Sequence, residues 1–265
     1  LRPEIAVVLN IEQDHLDYYR DEDEIIAAFA DFARQIGPGG VLIANGQDPN
    51  VVRAVGQVDT DIRCVTYGLN TDYDYHPADI ALVDGFYSFE IHHKDSTLGR
   101  AKINIPGAHN ILNALAVTAI AVEAGMEAPQ VIRLLGEFTG IDRRLMVKDR
   151  VNDITVIDDY AHHPTEIRAS LNAIRERYRP EKLWCIFQPH QYSRTRFLLD
   201  DFAESFKLAD IIIVPDIYFV RDTQAARKEV NSQVLVEKIN ANGSKAMFID
   251  SFSKICDYLK ANVRP

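Results

Sequence analysis

The 265-residue sequence is poor in cysteine and lacks the short motifs that mark common catalytic sites. Its three cysteines, Cys64, Cys185 and Cys256, are far apart and form no C-x-x-C pair. This pattern argues against a disulfide framework or a zinc site and predicts buried free thiols in a reducing compartment. The sequence also has no G-x-x-x-x-G-K-[ST] phosphate loop, G-x-G-x-x-G, G-x-S-x-G or H-E-x-x-H. Triphosphate chemistry therefore cannot be complete within this chain.

Long apolar runs and an excess of positive charge are lacking as well. No apolar run approaches the ~18 residues needed to cross a bilayer. The net charge of −10 and a pI near 5.3 argue against non-specific binding to a nucleic-acid backbone. We therefore expect neither a membrane nor a nucleic-acid partner. The chain starts at Leu1 almost directly with an apolar run and ends just after a helical pattern, so we expect it to be a piece of a longer protein.

The first part of the sequence, residues 1–142, predicts an α/β domain with an antiparallel appendage. Apolar runs at 5–9 and 41–44 alternate with helical patterns, which is typical of a parallel sheet. Short strands are then predicted at 63–67, 80–83, 86–91 and 101–105, and Asp84-Gly85 predicts a hairpin turn. Two helices follow, at 109–124 and 129–138. The appendage is expected to extend an incomplete ATPase-type central domain.

The second part, residues 143–265, predicts a Rossmann-like doubly wound domain. Strands at 154–157, 182–187, 211–214 and 246–249 alternate with helices near 165–178, 195–208, 232–241 and 252–261. Right-handed crossovers would place these strands in one parallel sheet between helices. The fold class is therefore α/β in both domains.

A polar stretch, Asp158 to Glu166, follows the first strand of the second domain. It places Asp159, His162 and His163 at a strand's carboxyl end, where open α/β sheets bind ligands. Pro164 suits the first position of a helix, and helix N-termini favour anions. Taken alone, a corner whose polar residues only cap and solvate the turn explains the stretch equally well.

Other polar residues follow the neighbouring strands of the same domain. His190 and Arg194 come after the second strand, and Asp216 and Tyr218 come after the third. Together with 158–166 they predict a rim that binds an anionic substrate. The pair Arg143-Arg144 could clamp a phosphate, or it could lie in an exposed linker.

Two further candidates lie in the first domain. Asn110 and Asn113 are three residues apart in a helix and share a face, which suits reading the edge of a purine, although one of them could simply cap the helix. His15 follows Asp14 in a loop after a buried strand. It is a candidate metal ligand or phosphate contact, with an ordinary surface histidine as the alternative.

Five ordered motifs give the sequence a resemblance to the Mur ligase family, in particular its alanine-adding branch. They span Asn10 to Tyr18, Gly107 to Ala114, Phe138 to Arg144, Asp158 to Glu166, and Phe187 to Thr195. The resemblance implies an ATP- and magnesium-dependent amide ligase of peptidoglycan synthesis. In such an enzyme ATP phosphorylates the lactyl carboxylate of UDP-N-acetylmuramate, and the amine of L-alanine displaces phosphate.

The resemblance also implies roles for individual residues. His15 would be a magnesium ligand, and Asn110 and Asn113 would hold adenine. Arg144 and Asp159 would face the nucleotide. The substrate and amino-acid side would be lined by His162, His163, His190 and Arg194.

Departures from the family pattern limit these expectations. Gln191 stands where the family usually has Arg, and Ala30 lies where sister ligases carry a carbamylated Lys. The 265 residues do not include the family's N-terminal UDP-binding domain, its phosphate loop, its upstream acidic metal ligand or its last Gly-rich strand. We therefore expect the chain to be inactive alone and to need the missing N-terminal part of the same cytoplasmic enzyme. The alternatives are a murein tripeptide recycling ligase, which Gln188-Pro189-His190 argues against, and a non-catalytic nucleotide-binding module. The sequence leaves the oligomeric state open.

Overall fold

The computed structural model describes residues 2–16, 18–58, 62–220, 222 and 226–264, and the chain divides into two compact units. The first unit contains Leu1–Gln13 and Tyr19–Gly140, and the second contains Asp14–Tyr18 and Ile141–Pro265. The division after Gly140 lies close to the boundary predicted between residues 142 and 143. The grouping of Asp14–Tyr18 with the second unit was not predicted.

The first unit is built on a six-stranded mixed sheet with strand order β1-β2-β3-β4-β5-β6. The strands are β1 (Ile5–Val8), β2 (Val41–Asn45), β3 (Arg63–Tyr67), β4 (Tyr75–Val83), β5 (Phe86–His93) and β6 (Ser96–Lys102). Strands β1 to β4 pair in parallel and β4 to β6 pair antiparallel. The helices are α1 (Glu22–Ala33), α2 (Pro49–Val55), α3 (His109–Glu123) and α4 (Ala128–Glu137).

The α/β class and the hairpin at Asp84-Gly85 are confirmed, with φ of 52° and 73° at the two turn residues. One detail of the prediction is wrong. Residues 63–67, assigned to the antiparallel appendage, form β3, which pairs in parallel with β2. Its apolar residues Val65 and Tyr67 are buried with Ile43 of β2 and Leu115 of α3. The appendage therefore begins one strand later and continues the same sheet.

The second unit contains a three-stranded parallel sheet and a separate two-stranded hairpin. The sheet has the order β11-β10-β9 and the hairpin pairs β7 with β8. The strands are β7 (Met146–Val151), β8 (Ile154–Asp158), β9 (Trp184–Ile186), β10 (Ile211–Val214) and β11 (Ala246–Phe248). The helices are α5 (Pro164–Tyr178), α6 (Tyr192–Phe197), α7 (Leu199–Ser205), α8 (Ala226–Glu229), α9 (Ser232–Ala241) and α10 (Phe252–Asn262).

The expectation that residues 154–157 join the parallel sheet is not met. They form β8, which pairs antiparallel with β7, a strand that the sequence reading missed. Asn152 and Asp153 form the turn with φ of 48° and 61°, the left-handed conformation of a tight two-residue hairpin. Charged residues in β7, such as Lys148 and Asp149, hide its strand pattern.

A core of its own stabilises the second unit. Phe202 lies in α7 and Phe206 follows its last residue. Both rings pack on Phe187, with ring centroids 5.4 and 5.2 Å from that of Phe187, respectively. Ile212 and Leu235 complete the centre of this buried cluster. Close packing of this kind holds the carboxyl ends of β9 and β10, and the loops that follow them, in fixed positions.

Two composition-based expectations can be compared with the structure. All three cysteines are free, as predicted, but Cys64 and Cys256 are exposed rather than buried. Only Cys185 is partly covered, and burial raises the pKa of its thiol to about 12. Among the described residues, no helix combines the length and apolar character that a bilayer crossing demands.

Candidate functional site

Polar side chains cluster where β8, β9 and β10 of the second unit end. The helix α5 starts here at Pro164, as predicted, and His163 is its N-cap. The His163 side chain accepts a hydrogen bond from the N–H of Thr165 at 3.3 Å. The Glu166 carboxylate accepts hydrogen bonds from the N–H groups of His162 and His163 at 2.9 and 3.2 Å. This capping box satisfies N–H groups at the helix start, so His163 has a structural role beside any functional one.

Glu166 supplies the negative charge that the N-terminus of α5 favours. Burial opposes ionisation of its carboxyl, but the His162 N–H and the charges of His162 and Arg144 outweigh it and lower the pKa of Glu166. A ligand anion at this helix end would meet a carboxylate already in place. An anionic ligand would therefore bind to the cationic side chains of the rim rather than to the N-terminus of α5.

Asp159 links three parts of the second unit. Its carboxylate accepts hydrogen bonds from the N–H of Leu145 at 2.9 Å, the N–H of Ala161 at 3.3 Å and the hydroxyl of Ser170 at 2.6 Å. These bonds join the start of β7, the turn after β8 and the middle of α5. The geometry assigns Asp159 a structural role, and its contact with a nucleotide stays a prediction.

Two arginines lie against the ring of Tyr160. The guanidinium carbon of Arg143 is 4.6 Å from the ring centroid and that of Arg144 is 5.8 Å from it. Arg144 also forms an ion pair with Glu166 at 3.4 Å. Arg143 has no ion pair among the described residues. Both arginines therefore contact an aromatic ring, whereas the alternative of an exposed linker predicts side chains surrounded by solvent.

His162 and His190 belong to the same rim. The ring of His162 lies 5.2 Å from that of Tyr160, and its Nδ1 is 3.3 Å from the Glu166 carboxylate. Burial, together with the positive charges of His162, Arg194 and Arg143, lowers the pKa of His190. The His190 imidazole is therefore neutral at pH 7 and keeps one ring nitrogen as a hydrogen-bond acceptor.

Arg194 is paired with a carboxylate that is distant in sequence. Its guanidinium donates to both carboxylate oxygens of Asp14, at 2.8 and 3.2 Å. The Arg194 side chain is 10% exposed and that of Asp14 is 22% exposed. Burial opposes ionisation of Asp14, but the hydrogen bonds from Arg194 and from the N–H of His15 outweigh it and lower its pKa. No local pattern marks a contact across 180 residues of sequence, so the sequence reading missed Asp14 as a site residue.

His15 is exposed, with φ of 55°, and lies beside Asp14. Within the part of the chain that the structure describes, no three His, Cys, Asp or Glu side chains are placed to hold a metal ion. Magnesium is often bound by only one or two protein ligands together with phosphates and water. His15 therefore fits a magnesium site only if most ligands come from outside the described residues, and its role stays a prediction.

The two asparagines of the first unit form one hydrogen-bonded pair at the start of α3. Asn110 donates through Nδ2 to the carbonyl oxygen of Pro106 at 2.8 Å. Asn113 donates through Nδ2 to Oδ1 of Asn110 at 3.0 Å. Asn113 is exposed, and its Oδ1 and its second amide N–H make no hydrogen bond among the described residues. One free acceptor beside one free donor is the pattern with which an Asn amide reads adenine. The free groups of Asn113 thus have the chemistry to pair with adenine, and the adenine contact of Asn110 and Asn113 stays a prediction.

Both units of the chain match the models of known protein families. Residues 1–121 match the model of the Mur ligase middle domain, and residues 143–265 match that of the Mur ligase glutamate ligase domain. The chain belongs to the Mur ligase family. The two matches together account for both α/β units.

Individual relatives narrow the similarity within this family. The chain is 41% identical, over 99% of its length, to the UDP-N-acetylmuramate–L-alanine ligase of Acetivibrio thermocellus, of which it covers 55%. It is 40% identical to the ligase of the same name from Clostridium novyi, covering 99% of this chain and 56% of that protein. The chain thus spans about half the length of the curated relatives that it matches.

Solved structures agree with the fold. The crystal structure of UDP-N-acetylmuramate-alanine ligase from Thermotoga maritima superposes with a TM-score of 0.73 at 25% identity, covering 99% of this chain and 54% of that one. The crystal structure of MurF from Acinetobacter baumannii superposes with a TM-score of 0.79 at 20% identity, covering 98% and 53%. The second likeness supports the fold alone.

Proposed function

We propose that this chain is part of a longer ligase that joins L-alanine to UDP-N-acetylmuramate. The observation that carries the proposal is the 41% identity to a ligase of that name across nearly the whole chain. This longer polypeptide is the parent enzyme. The proposal includes a cytoplasmic location, in keeping with three free thiols that suit a reducing compartment.

ATP would supply the phosphoryl group that converts the lactyl carboxylate into an acyl phosphate, from which the amine of L-alanine displaces phosphate. In the first unit, Asn113 would contact the adenine edge, held in place by Asn110. His15 would be one of the magnesium ligands. In the second unit, Arg144 and Asp159 would lie on the nucleotide side. Neither unit contains a phosphate loop in its sequence, so the parent enzyme must hold the triphosphate with other residues.

The rim of the second unit would bind the acid and the amino acid. His162, His163, His190 and Arg194 form its substrate side. The Arg194 guanidinium already holds a carboxylate with two hydrogen bonds, and the same fork matches the carboxylate of L-alanine. Binding there requires the amino acid to displace Asp14. A neutral His190 would present an acceptor nitrogen to the amine. Cations around the rim would stabilise the negative charge that develops during acyl transfer.

The proposal predicts which compounds support turnover. The parent enzyme should release phosphate from ATP only when UDP-N-acetylmuramate and L-alanine are both present, and a murein tripeptide should not replace L-alanine. The 265-residue chain alone should show no turnover. Preference for the tripeptide would support the recycling ligase instead. Nucleotide binding without any acid-dependent turnover would support a non-catalytic module.

A further inference from the structure

The loop that carries His190 is joined to the loop after β10 by three hydrogen bonds. Gln188 donates through Nε2 to the carbonyl oxygen of Asp216 at 3.2 Å. The N–H of Tyr218 donates to the carbonyl oxygen of Pro189 at 2.8 Å, and the N–H of Gln191 donates to that of Tyr218 at 3.1 Å. His190 and Tyr218 therefore face each other as a parallel β-bridge outside the named strands.

The bridge holds the backbone around His190 without help from the Tyr218 side chain. Gln191 is buried and has φ of 68°, a conformation that few non-glycine residues adopt. Its carbonyl oxygen accepts hydrogen bonds from both the N–H and the hydroxyl of Thr195, at 3.1 and 2.7 Å. Since all these bonds use backbone atoms or the side chains of Gln188 and Thr195, the phenol ring of Tyr218 can be removed while the loop stays in place.

The ring of Tyr218 covers one face of the His190 imidazole, with centroids 5.1 Å apart and an interplanar angle of 40°. Tyr218 is 50% exposed, so its outer face meets solvent while its inner face packs on the histidine. The charged and titratable groups that act on His190 from other elements are His162, Arg194 and Arg143. The ring of Tyr218 thus packs on an imidazole whose other named neighbours are basic side chains.

We infer that Tyr218 is a positioning residue: its ring fixes the orientation of His190 and shields it from water at the substrate side of the rim. The consequence for catalysis rests on the proposed function, whereas the packing itself does not. A histidine held in one orientation presents the same nitrogen to each incoming amine, which lowers the entropy cost of binding. The aromatic ring, rather than the hydroxyl, carries this role, because it is the ring that packs on the His190 imidazole.

The test on the 265-residue chain follows the His190 ring signal by NMR as the pH is changed, with His190→Gln identifying the signal. Shielding from water is the largest cause of the lowered pKa of His190. In Tyr218→Ala the pKa of His190 should therefore rise, without regaining its ordinary value, because the guanidinium groups of Arg194 and Arg143 remain. Tyr218→Phe should titrate like the unchanged chain. Phe219→Ala is the matched control, since Phe219 is a similarly exposed neighbour that packs on Tyr192 instead.

The outcomes separate positioning from simple packing. An unchanged titration in Tyr218→Ala, or an equal rise in Tyr218→Phe or Phe219→Ala, would overturn the inference. In the parent enzyme, Tyr218→Ala should raise the KM for L-alanine about tenfold, with a smaller change in kcat, and Tyr218→Phe should restore it. If the parent enzyme joins no alanine at all, the proposed function fails, while the titration still decides the role of Tyr218.

Discussion

At the scale of single residues, the carboxylates of the second unit determine which cations remain for a ligand. Asp14 holds Arg194, and Glu166 is paired with both Arg144 and His162. Arg143 has no carboxylate partner among the described residues. An anionic substrate would therefore meet Arg143 directly and would have to compete with a carboxylate for Arg194. This competition favours a ligand that brings its own carboxylate, as an amino acid does.

The asparagine pair gives a residue-scale prediction. Asn113→Ala in the parent enzyme should weaken ATP binding by about 1–3 kcal/mol, the usual contribution of a paired amide contact to an adenine edge. Asn172→Ala, which removes an exposed amide from α5, should leave ATP binding unchanged. Titration calorimetry with ATP measures both. Equal affinities in the two variants would contradict the assignment of Asn113 to adenine.

The sequence predicted where polar residues lie along the strands better than which residues they contact. Residues such as His190 and Arg194 follow apolar strands directly, so their place at the carboxyl ends could be predicted from the pattern alone. Asp14 could not, because its partner is 180 residues away and chain order carries no signal for that distance. Tyr160 looked like part of a polar string, but its ring organises Arg143 and Arg144.

At the scale of elements, helix starts were predicted well and sheet membership less well. His163 before Pro164 marks a helix N-terminus, because the side chain caps the helix and the proline lacks an N–H to satisfy. The pairing of β8 depended on recognising β7, whose charged residues hide the strand pattern. Pairing partners are set by packing across the whole unit, which a local pattern does not contain.

The capping box of α5 gives an element-scale prediction with a defined pH dependence. Glu166→Ala should destabilise the second unit by about 1–2 kcal/mol at pH 7, the usual cost of a lost cap. The pKa of Glu166 is lowered in the folded state, so its contribution is present above the ordinary value of 4.5 and is lost as the pH falls through the folded pKa. The difference between the variant and the unchanged chain should therefore shrink below pH 4.5.

Urea unfolding followed by the fluorescence of Trp184 measures this effect, because it is the single tryptophan and lies in β9 of the second unit. The control is Glu237→Ala, which removes an exposed carboxylate from α9 and should change stability by less than about 0.5 kcal/mol. A loss in Glu166→Ala that stays constant from pH 7 to pH 3 would contradict the capping role of the carboxylate.

The hairpin turn between β7 and β8 gives a second element-scale prediction. Asp153 has φ of 61° at a solvent-exposed position. Asp153→Gly should stabilise the second unit by about 0.5–1 kcal/mol, because glycine adopts this conformation without a steric penalty. Asp153→Val should destabilise it by about 1–2 kcal/mol, because a β-branched residue is strained there. The same urea titration distinguishes them, and equal stabilities of both variants would contradict the turn geometry.

At the scale of the whole molecule, the two units contribute different parts of one proposed reaction. The first carries the amide pair that we propose contacts adenine, and the second carries the cationic rim that we propose binds a carboxylate substrate. The net charge of −10 would repel polyphosphate substrates over the general surface, so binding depends on these local groups. Since the chain spans about half the length of its curated relatives, the complete reaction is a property of the parent enzyme.

We propose that the parent enzyme activates the carboxylate of UDP-N-acetylmuramate as an acyl phosphate and transfers the acyl group to L-alanine. This proposal is tested most directly with UDP-N-acetylmuramate whose lactyl carboxylate carries ¹⁸O at both oxygens. One labelled oxygen attacks phosphorus and leaves with it, while the other remains in the amide. Each released phosphate should carry one ¹⁸O, observed by mass spectrometry, and only when L-alanine is converted to product. Product formation with unlabelled phosphate would contradict the proposal.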